Sequence, residues 1–183
     1  MQKFLFFDTE TNDTNNQFAM SFGGFLTDDQ GTILDEEYQL IKPMTDYMVN
    51  PMAARKNGLS RELCAEKGVE FKQVLDVFNS WVSVSDIVVA HNLDFDFETM
   101  SHSAWAIRSE IKRPKYAYCT MKHGANDITR IMKKFGSEYK WPSLKELYVH
   151  LFGGDFLGAH NARTDAEICM RCYFQARNVG YIA

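Results

Sequence analysis

No run of apolar residues in this 183-residue chain approaches the roughly 20 that a membrane-spanning helix needs. The opening stretch Met1-Gln2-Lys3-Phe4-Leu5-Phe6-Phe7 does not read as a signal peptide either, because it stops at Asp8 with no small-residue cleavage site. The expectation is a cytoplasmic protein. Cysteine is scarce as well. Cys169-Met170-Arg171-Cys172 has a metal-ligand spacing, but no second pair completes a zinc site. Two small apolar residues one turn apart in a core-facing helix describe it better, and no disulfide framework is expected. Linkers of low complexity and internal repeats are also missing. The length suits a single sizeable core, and a composition of 45% hydrophobic and 24% charged residues is that of a folded domain.

An excess of positive charge is lacking too. The net charge of −4 argues against a protein that coats polyanions, yet its distribution is uneven. Residues 1–50 hold nine acids against Lys3 and Lys42, whereas residues 108–145 hold ten of the twenty bases. A basic flank of that kind can grip phosphates, and it can equally be a solvated lysine-rich surface.

Phe4 to Phe7 reads as a buried strand. Residues 17–26 and 32–41 are β-rich runs joined by Thr27-Asp28-Asp29-Gln30-Gly31, the turn of a hairpin. The stretch 42–68 reads as irregular. Phe71, Val74, Leu75, Phe78, Trp81 and Val82 keep the spacing of an amphipathic helix. Asp86 to Ala90 has the apolar run of a central, parallel strand, and a second helix follows from Phe97 to Ile111. Residues 116–119 suit a short strand, and 120–140 helix and loop. Ser143-Leu144-Lys145-Glu146 is a capping box that opens a helix closed by Gly153-Gly154, and Ala162, Ala166, Cys169 and Tyr173 share one face of the last helix. Strands that meander and then alternate with helices make the class α/β, a mixed sheet covered by helices in one domain.

The chemistry lies in the acids. Asp8 and Glu10, two apart on a strand, project to one face about 7 Å apart at the backbone. They repel by about 2 kcal/mol at an effective dielectric near 20, and a buried strand end strips their solvation. A divalent cation removes both penalties, and oxygen ligands suit magnesium or manganese. The alternative is that the strand has ended and both acids are solvated. Asp94 and Asp96 follow the second apolar strand, where α/β crevices form. Asp96 opens the buried stripe of the next helix and Asp94 falls off it. Asp165 lies four residues before Cys169, on the apolar face of the last helix, where an unpaired carboxylate is costly. His160, just ahead of that helix, could take a proton from water at neutral pH.

Phe7-Asp8-Thr9-Glu10-Thr11, His91-Asn92-Leu93-Asp94-Phe95-Asp96 and His160-Asn161-Ala162-Arg163-Thr164-Asp165 resemble the three motifs of the DEDDh 3′→5′ exonucleases, relatives of the proofreading epsilon subunit of bacterial DNA polymerase. The resemblance covers nearly the whole chain, with Asn57-Gly58-Leu59 and residues 141–153 similar to connecting segments of bacterial and phage members. It departs at Asn12-Asp13, where many relatives have Thr-Gly, which bears on substrate preference. His160 sorts the chain into the histidine branch.

The resemblance implies a ribonuclease-H-like fold with a mixed five-stranded sheet, a single exonuclease domain over residues 1–183, and two Mg²⁺ or Mn²⁺ ions held by Asp8, Glu10, Asp96 and Asp165. His160 would be the base. Thr9, Thr11 and Asn92 are candidate substrate contacts, with the backbone around Glu10 and Thr11 meeting the terminal 3′ hydroxyl and Asn92 weighted toward holding its loop. The expected reaction releases 5′-mononucleotides from the 3′ ends of single-stranded DNA. An exoribonuclease of the oligoribonuclease or transfer-RNA-trimming kind is the alternative, and a non-catalytic module for nucleic-acid ends or a polymerase is the third reading. A haloacid-dehalogenase-type phosphatase is rejected, because it would need an aspartate at Glu10 and a threonine at Asn12. No membrane contact is expected. The 18 residues after Asp165 leave little for a tether, so a free-standing enzyme without a required polymerase partner is expected.

Overall fold

The computed structural model describes residues 1–133 and 135–182. Lys134, part of the basic segment, lies outside them. Five strands form one sheet in the order β3-β2-β1-β4-β5. β1 (Lys3–Thr11), β2 (Ala19–Asp28) and β3 (Ile33–Leu40) make an antiparallel meander, while β4 (Ile87–Ala90) and β5 (Tyr116–Cys119) run parallel to β1. This is the mixed five-stranded sheet flanked by helices that the sequence led us to expect.

β1 is central and longer than the expected Phe4–Phe7. Its pairing with β4 covers Phe4 to Phe6, whereas its pairing with β2 continues to Thr11. Residues 8–11 therefore stay in strand geometry while overhanging the end of β4. That overhang opens a crevice, and it keeps Asp8 and Glu10 inside the strand rather than in a solvated loop.

Period-two alternation distributes β1 between two cores. Leu5 and Phe7 pack with α3 (Phe71–Val84) and α4 (Leu93–Ala106) on one face. Phe4 and Phe6 pack on the other face against Ala166, Cys169 and Tyr173 of α7 (Ala162–Asn178). The rings of Phe4 and Phe6 meet Tyr173 and Phe174 at centroid distances of 5.5–5.8 Å, within the range of favourable aromatic pairs. α6 (Leu144–Phe152) lies against α7 and starts with the expected capping box between Ser143 and Glu146. All four cysteines are buried and unpaired, Cys169 and Cys172 among the apolar residues of α7. Among the described residues, no helix is long and apolar enough to cross a membrane.

Two expectations need correction. The stretch 42–68 contains two helices, α1 (Pro51–Asn57) and α2 (Arg61–Lys67), capped by Asn50 and Ser60. At seven residues each they are too short to show a hydrophobic period. The helix expected to reach Ile111 ends at Ala106, and Arg108 turns the chain with a φ of 53°. The expected helix and loop over 120–140 is met by α5 (Thr120–His123), which continues as one π-helical stretch, Gly124–Thr129.

Candidate active site

Where β1 overhangs β4, its alternation sends polar side chains to opposite helices. Asp8 and Glu10 share the parity of Phe4 and Phe6, the α7 side; Thr9 and Thr11 share that of Leu5 and Phe7, the α4 side. Thr9 spends both of its donors on one oxygen of Asp96, the backbone N–H at 3.0 Å and the hydroxyl at 2.8 Å. Asp96, in the first turn of α4, is only 3% exposed. Asp94 lies on the outer side of the same turn, paired with Lys122 at 2.5 Å. Thr9, read from the sequence as a substrate contact, thus has its hydroxyl committed to holding a carboxylate. The Thr11 hydroxyl donates to the Asp13 carbonyl at 2.9 Å. Asn92 precedes α4 in a left-handed conformation with φ 79° and makes no capping bond with its side chain.

α7 brings the remaining acid. Asn161 caps it by accepting from the Thr164 N–H. His160, just outside the helix, adopts φ 68°, a region that histidine tolerates better than most residues. Its backbone N–H donates to Asp165 Oδ2 at 3.0 Å. The other oxygen, Oδ1, is buried and has no hydrogen-bond partner among the described residues. The helix can come this close because β2 carries Gly23 opposite Asp8. A Cβ there would lie 2.3 Å from the backbone nitrogen of Arg163.

Asp8, Glu10, Asp96, Asp165, His160 and Asn92 all line one crevice of about 890 Å³, together with Thr9 and Thr11. A ligand atom from each of Glu10, His160 and Asp165 falls within 4.8 Å of the others. Every site residue expected from the sequence is thus brought to one place, and Asp94 is left out of it.

The crevice has a further wall that reading the sequence missed. α1 contributes Lys56 and Asn57 to the crevice. Asn57 donates to the Thr11 carbonyl at 3.2 Å and also hydrogen-bonds Glu10. Lys56 makes no salt bridge among the described residues, yet its charge is felt by Asp8, Glu10, Asp165 and His160. Asn50 followed by Pro51, with Gly58 seven residues on, was the available signal: a cap, a proline at the first helical position and a glycine stop. The basic segment fares differently. Lys122, Lys133, Lys140 and Lys145 pair with Asp94, Glu138, Glu146 and Asp155, so much of its charge is answered locally.

Crowding sets the electrostatics. Burial, then Asp96, Asp165 and Glu10, push the Asp8 carboxyl well above its ordinary range. Burial also raises Asp96, against the pull of the two Thr9 hydrogen bonds. Glu10 rises to about 7 through burial and Asp165. Asp165 rises to about 6 through burial, moderated by the His160 N–H and Lys56. His160 is lowered by burial and by Lys56, which keeps its imidazole neutral at pH 7. Without a counter-charge the cluster holds protons, because adjacent buried carboxylates cannot all ionise. A hard cation fits this donor set: clustered carboxylate oxygens, one of them buried without a partner, beside an imidazole.

Comparison with known proteins agrees with this architecture. No curated protein sequence matches the chain. Among solved structures, it is similar to Escherichia coli exonuclease I in its zinc-bound complex with single-stranded DNA, at 17% identity and a TM-score of 0.77 over 98% of this chain and 41% of that one. The exonuclease I of Methylocaldum szegediense gives 18% identity, a TM-score of 0.74 and the same coverages. E. coli exonuclease I with a dA16 oligonucleotide gives 18% and 0.74 over 97% of this chain and 41% of that one. These likenesses establish the fold, and the chain spans about two-fifths of the length of the structures it matches. A family model described as Exonuclease (RNase T) matches residues 5–173, from Leu5 of β1 to Tyr173 of α7, so the chain belongs to the RNase T exonuclease family.

Proposed function

We propose that residues 1–183 form one exonuclease domain that removes nucleotides from the 3′ end of single-stranded DNA, releasing 5′-mononucleotides. The observation that carries this is the convergence of Asp8, Glu10, Asp96 and Asp165, from three separate segments, on a crevice where one buried carboxylate oxygen has no partner. That the similar structures include exonuclease I bound to single-stranded DNA supports the choice of substrate.

Asp8, Glu10, Asp96 and Asp165 would hold two Mg²⁺ or Mn²⁺ ions. When bound, such ions neutralise the phosphate and make a bound water more acidic. His160, neutral and at the crevice edge, accepts the proton of the attacking water. Thr9 fixes Asp96 through its two hydrogen bonds. The backbone at Glu10 and Thr11 meets the terminal 3′ hydroxyl, and Asn92 shapes the crevice where its chain turns into α4. Lys56 offers a positive charge to the incoming phosphate. A cytoplasmic setting suits the four free thiols.

Matched DNA and RNA oligonucleotides labelled at either end provide the test. With Mg²⁺ or Mn²⁺ the 5′-labelled DNA should shorten one nucleotide at a time, and excess EDTA should stop it. Digestion that persists in EDTA would remove the metal site, and faster digestion of RNA would make the enzyme an exoribonuclease. His160→Ala should slow turnover on the order of 10²-fold while Mn²⁺ binding persists.

A further inference from the structure

The crevice has an aromatic rim that the chemistry described so far does not use. Trp141 lines it with its side chain largely in solvent, the residue being 60% exposed. The chain on either side of it, by contrast, is anchored: before it, the Lys140 N–H donates to the Ile131 carbonyl at 2.8 Å, and after it Pro142 and Ser143 are held. His91, at the end of β4, has one ring nitrogen 3.1 Å from the Pro142 carbonyl and the other 2.9 Å from the Thr120 hydroxyl. A carbonyl can only accept, so Nε2 carries the proton and Nδ1 accepts from Thr120. Directly after Pro142, Ser143 and Glu146 close the capping box of α6. Lys122 Nζ stands 5.9 Å from the centre of the Trp141 ring, and Lys140, next in the chain, lines the same crevice.

A single exposed tryptophan needs no explanation in itself, and Trp105 on α4 is 79% exposed without lining the crevice. Trp141 differs in three respects: anchored chain neighbours on both sides, a place on the wall of the acidic crevice, and lysines beside the ring. A rigid aromatic face flanked by cations is the equipment of single-strand binding, where unpaired bases stack and phosphates are neutralised alongside. The pairs Lys122–Asp94 and Lys140–Glu146 are exposed surface pairs of low strength, so a phosphate can compete for either lysine.

We propose that Trp141 is a stacking platform for an unpaired base upstream of the scissile bond, with Lys122 and Lys140 neutralising adjacent phosphates. This rests on the reading of the crevice as an exonuclease site and narrows its substrate class. A base in a duplex has both faces occupied, so the platform selects single strands, and it tolerates any base because each has a π-face.

Two measurements test it. In a His160→Ala, Trp105→Phe protein with Mn²⁺, a hexathymidylate should quench tryptophan fluorescence. The quench should vanish when Trp141→Phe is added, and a blunt duplex of equal length should quench less. In the otherwise native protein, Trp141→Ala should raise KM for the hexanucleotide about tenfold with kcat within about threefold, and Trp141→Phe should restore most of the difference. Absence of a Trp141-dependent quench, equal quenching by the duplex, or an unchanged KM in Trp141→Ala would each overturn the platform. A Trp141-dependent quench together with no nucleotide release by the native protein would uphold the platform and overturn the exonuclease reading. Normal digestion without the quench would do the reverse.

Discussion

The two faces of β1 solve the same problem in opposite ways. On the α4 side the buried carboxylate of Asp96 is satisfied within the protein, by two donors from Thr9. On the α7 side Asp8 and Glu10 face another acid, Asp165, and one of its oxygens is left without a partner. The first half is preorganised and the second half waits for a cation. A strand whose neighbouring residues alternate between helices can therefore build a rigid wall and an unsatisfied one a few ångströms apart. A metal site needs both, one to fix its ligands and one to supply affinity.

Removing a charge from the rigid side should have the largest effect. Asp96→Asn is expected to lower kcat/KM on the order of 10³-fold, because a positioned carboxylate is lost where the metals would bind. Asp94→Asn, two residues away and paired with Lys122 on the outside, should stay within a few-fold of the parent. Steady-state digestion of a labelled oligonucleotide measures both, and the reverse order would undo the assignment of the inward acid. The α7 side is broken by geometry instead. Gly23→Ala should cost roughly tenfold to a hundredfold in turnover, since a Cβ against the backbone of Ala162 and Arg163 pushes the start of α7 away from Asp8. Mn²⁺ affinity measured by calorimetry should fall with it. Unchanged affinity would mean that the approach of α7 is not what assembles the site.

Much of this arrangement was legible in the sequence, and the residues that escaped it show why. Asp165 was visible because a carboxylate on the Ala162–Tyr173 stripe contradicts the hydrophobic pattern around it. Asp96 was separable from Asp94 by helical phase alone. The role of Thr9 was not separable. Parity on β1 puts it with Leu5 and Phe7, but nothing local says that α4 rather than α7 covers that face. Lys56 escaped for another reason: α1 is shorter than two turns, so its caps at Asn50 and Gly58 were its only signature. The basic segment stayed open between a phosphate grip and a solvated surface, because a charge count cannot see that Lys122, Lys140 and Lys145 find acids elsewhere in the chain.

A smaller effect sharpens the comparison on the satisfied side. Thr9→Val keeps the shape and the backbone donor and removes the hydroxyl from Asp96. It should reduce turnover about tenfold, the loss of one hydrogen bond to a charged group. Thr11→Val, whose hydroxyl serves the Asp13 carbonyl, should have less influence on turnover. Equal losses in the two variants would mean that the hydroxyl on Asp96 has no special part in fixing it.

The smallest effect is thermodynamic and belongs to the unsatisfied side. In the metal-free protein Glu10 titrates near 7 and Asp165 near 6, both above the ordinary carboxylate values of 4.5 and 3.8. A pKa raised on folding means that the folded state binds protons more tightly than the unfolded one. Between the ordinary and the raised values, the unfolded state carries fewer protons, so stability falls as pH rises through this window. In EDTA the melting temperature should therefore drop by a few degrees from pH 6.5 to pH 8. Below pH 6.5 the trend is opposed by His91, whose pKa is pushed down to about 4 by burial, so that acid must protonate a histidine the fold keeps neutral. Mn²⁺ binds the deprotonated cluster and stabilises by mass action, most at the pH where the acids are ionised, so it should flatten or invert the slope. Asp165→Asn removes the orphaned charge and should raise the metal-free melting temperature at pH 8 while abolishing activity. If that variant melts like the parent in EDTA, the unpaired oxygen carries no strain, and the contrast between the two faces of β1 loses its energetic half.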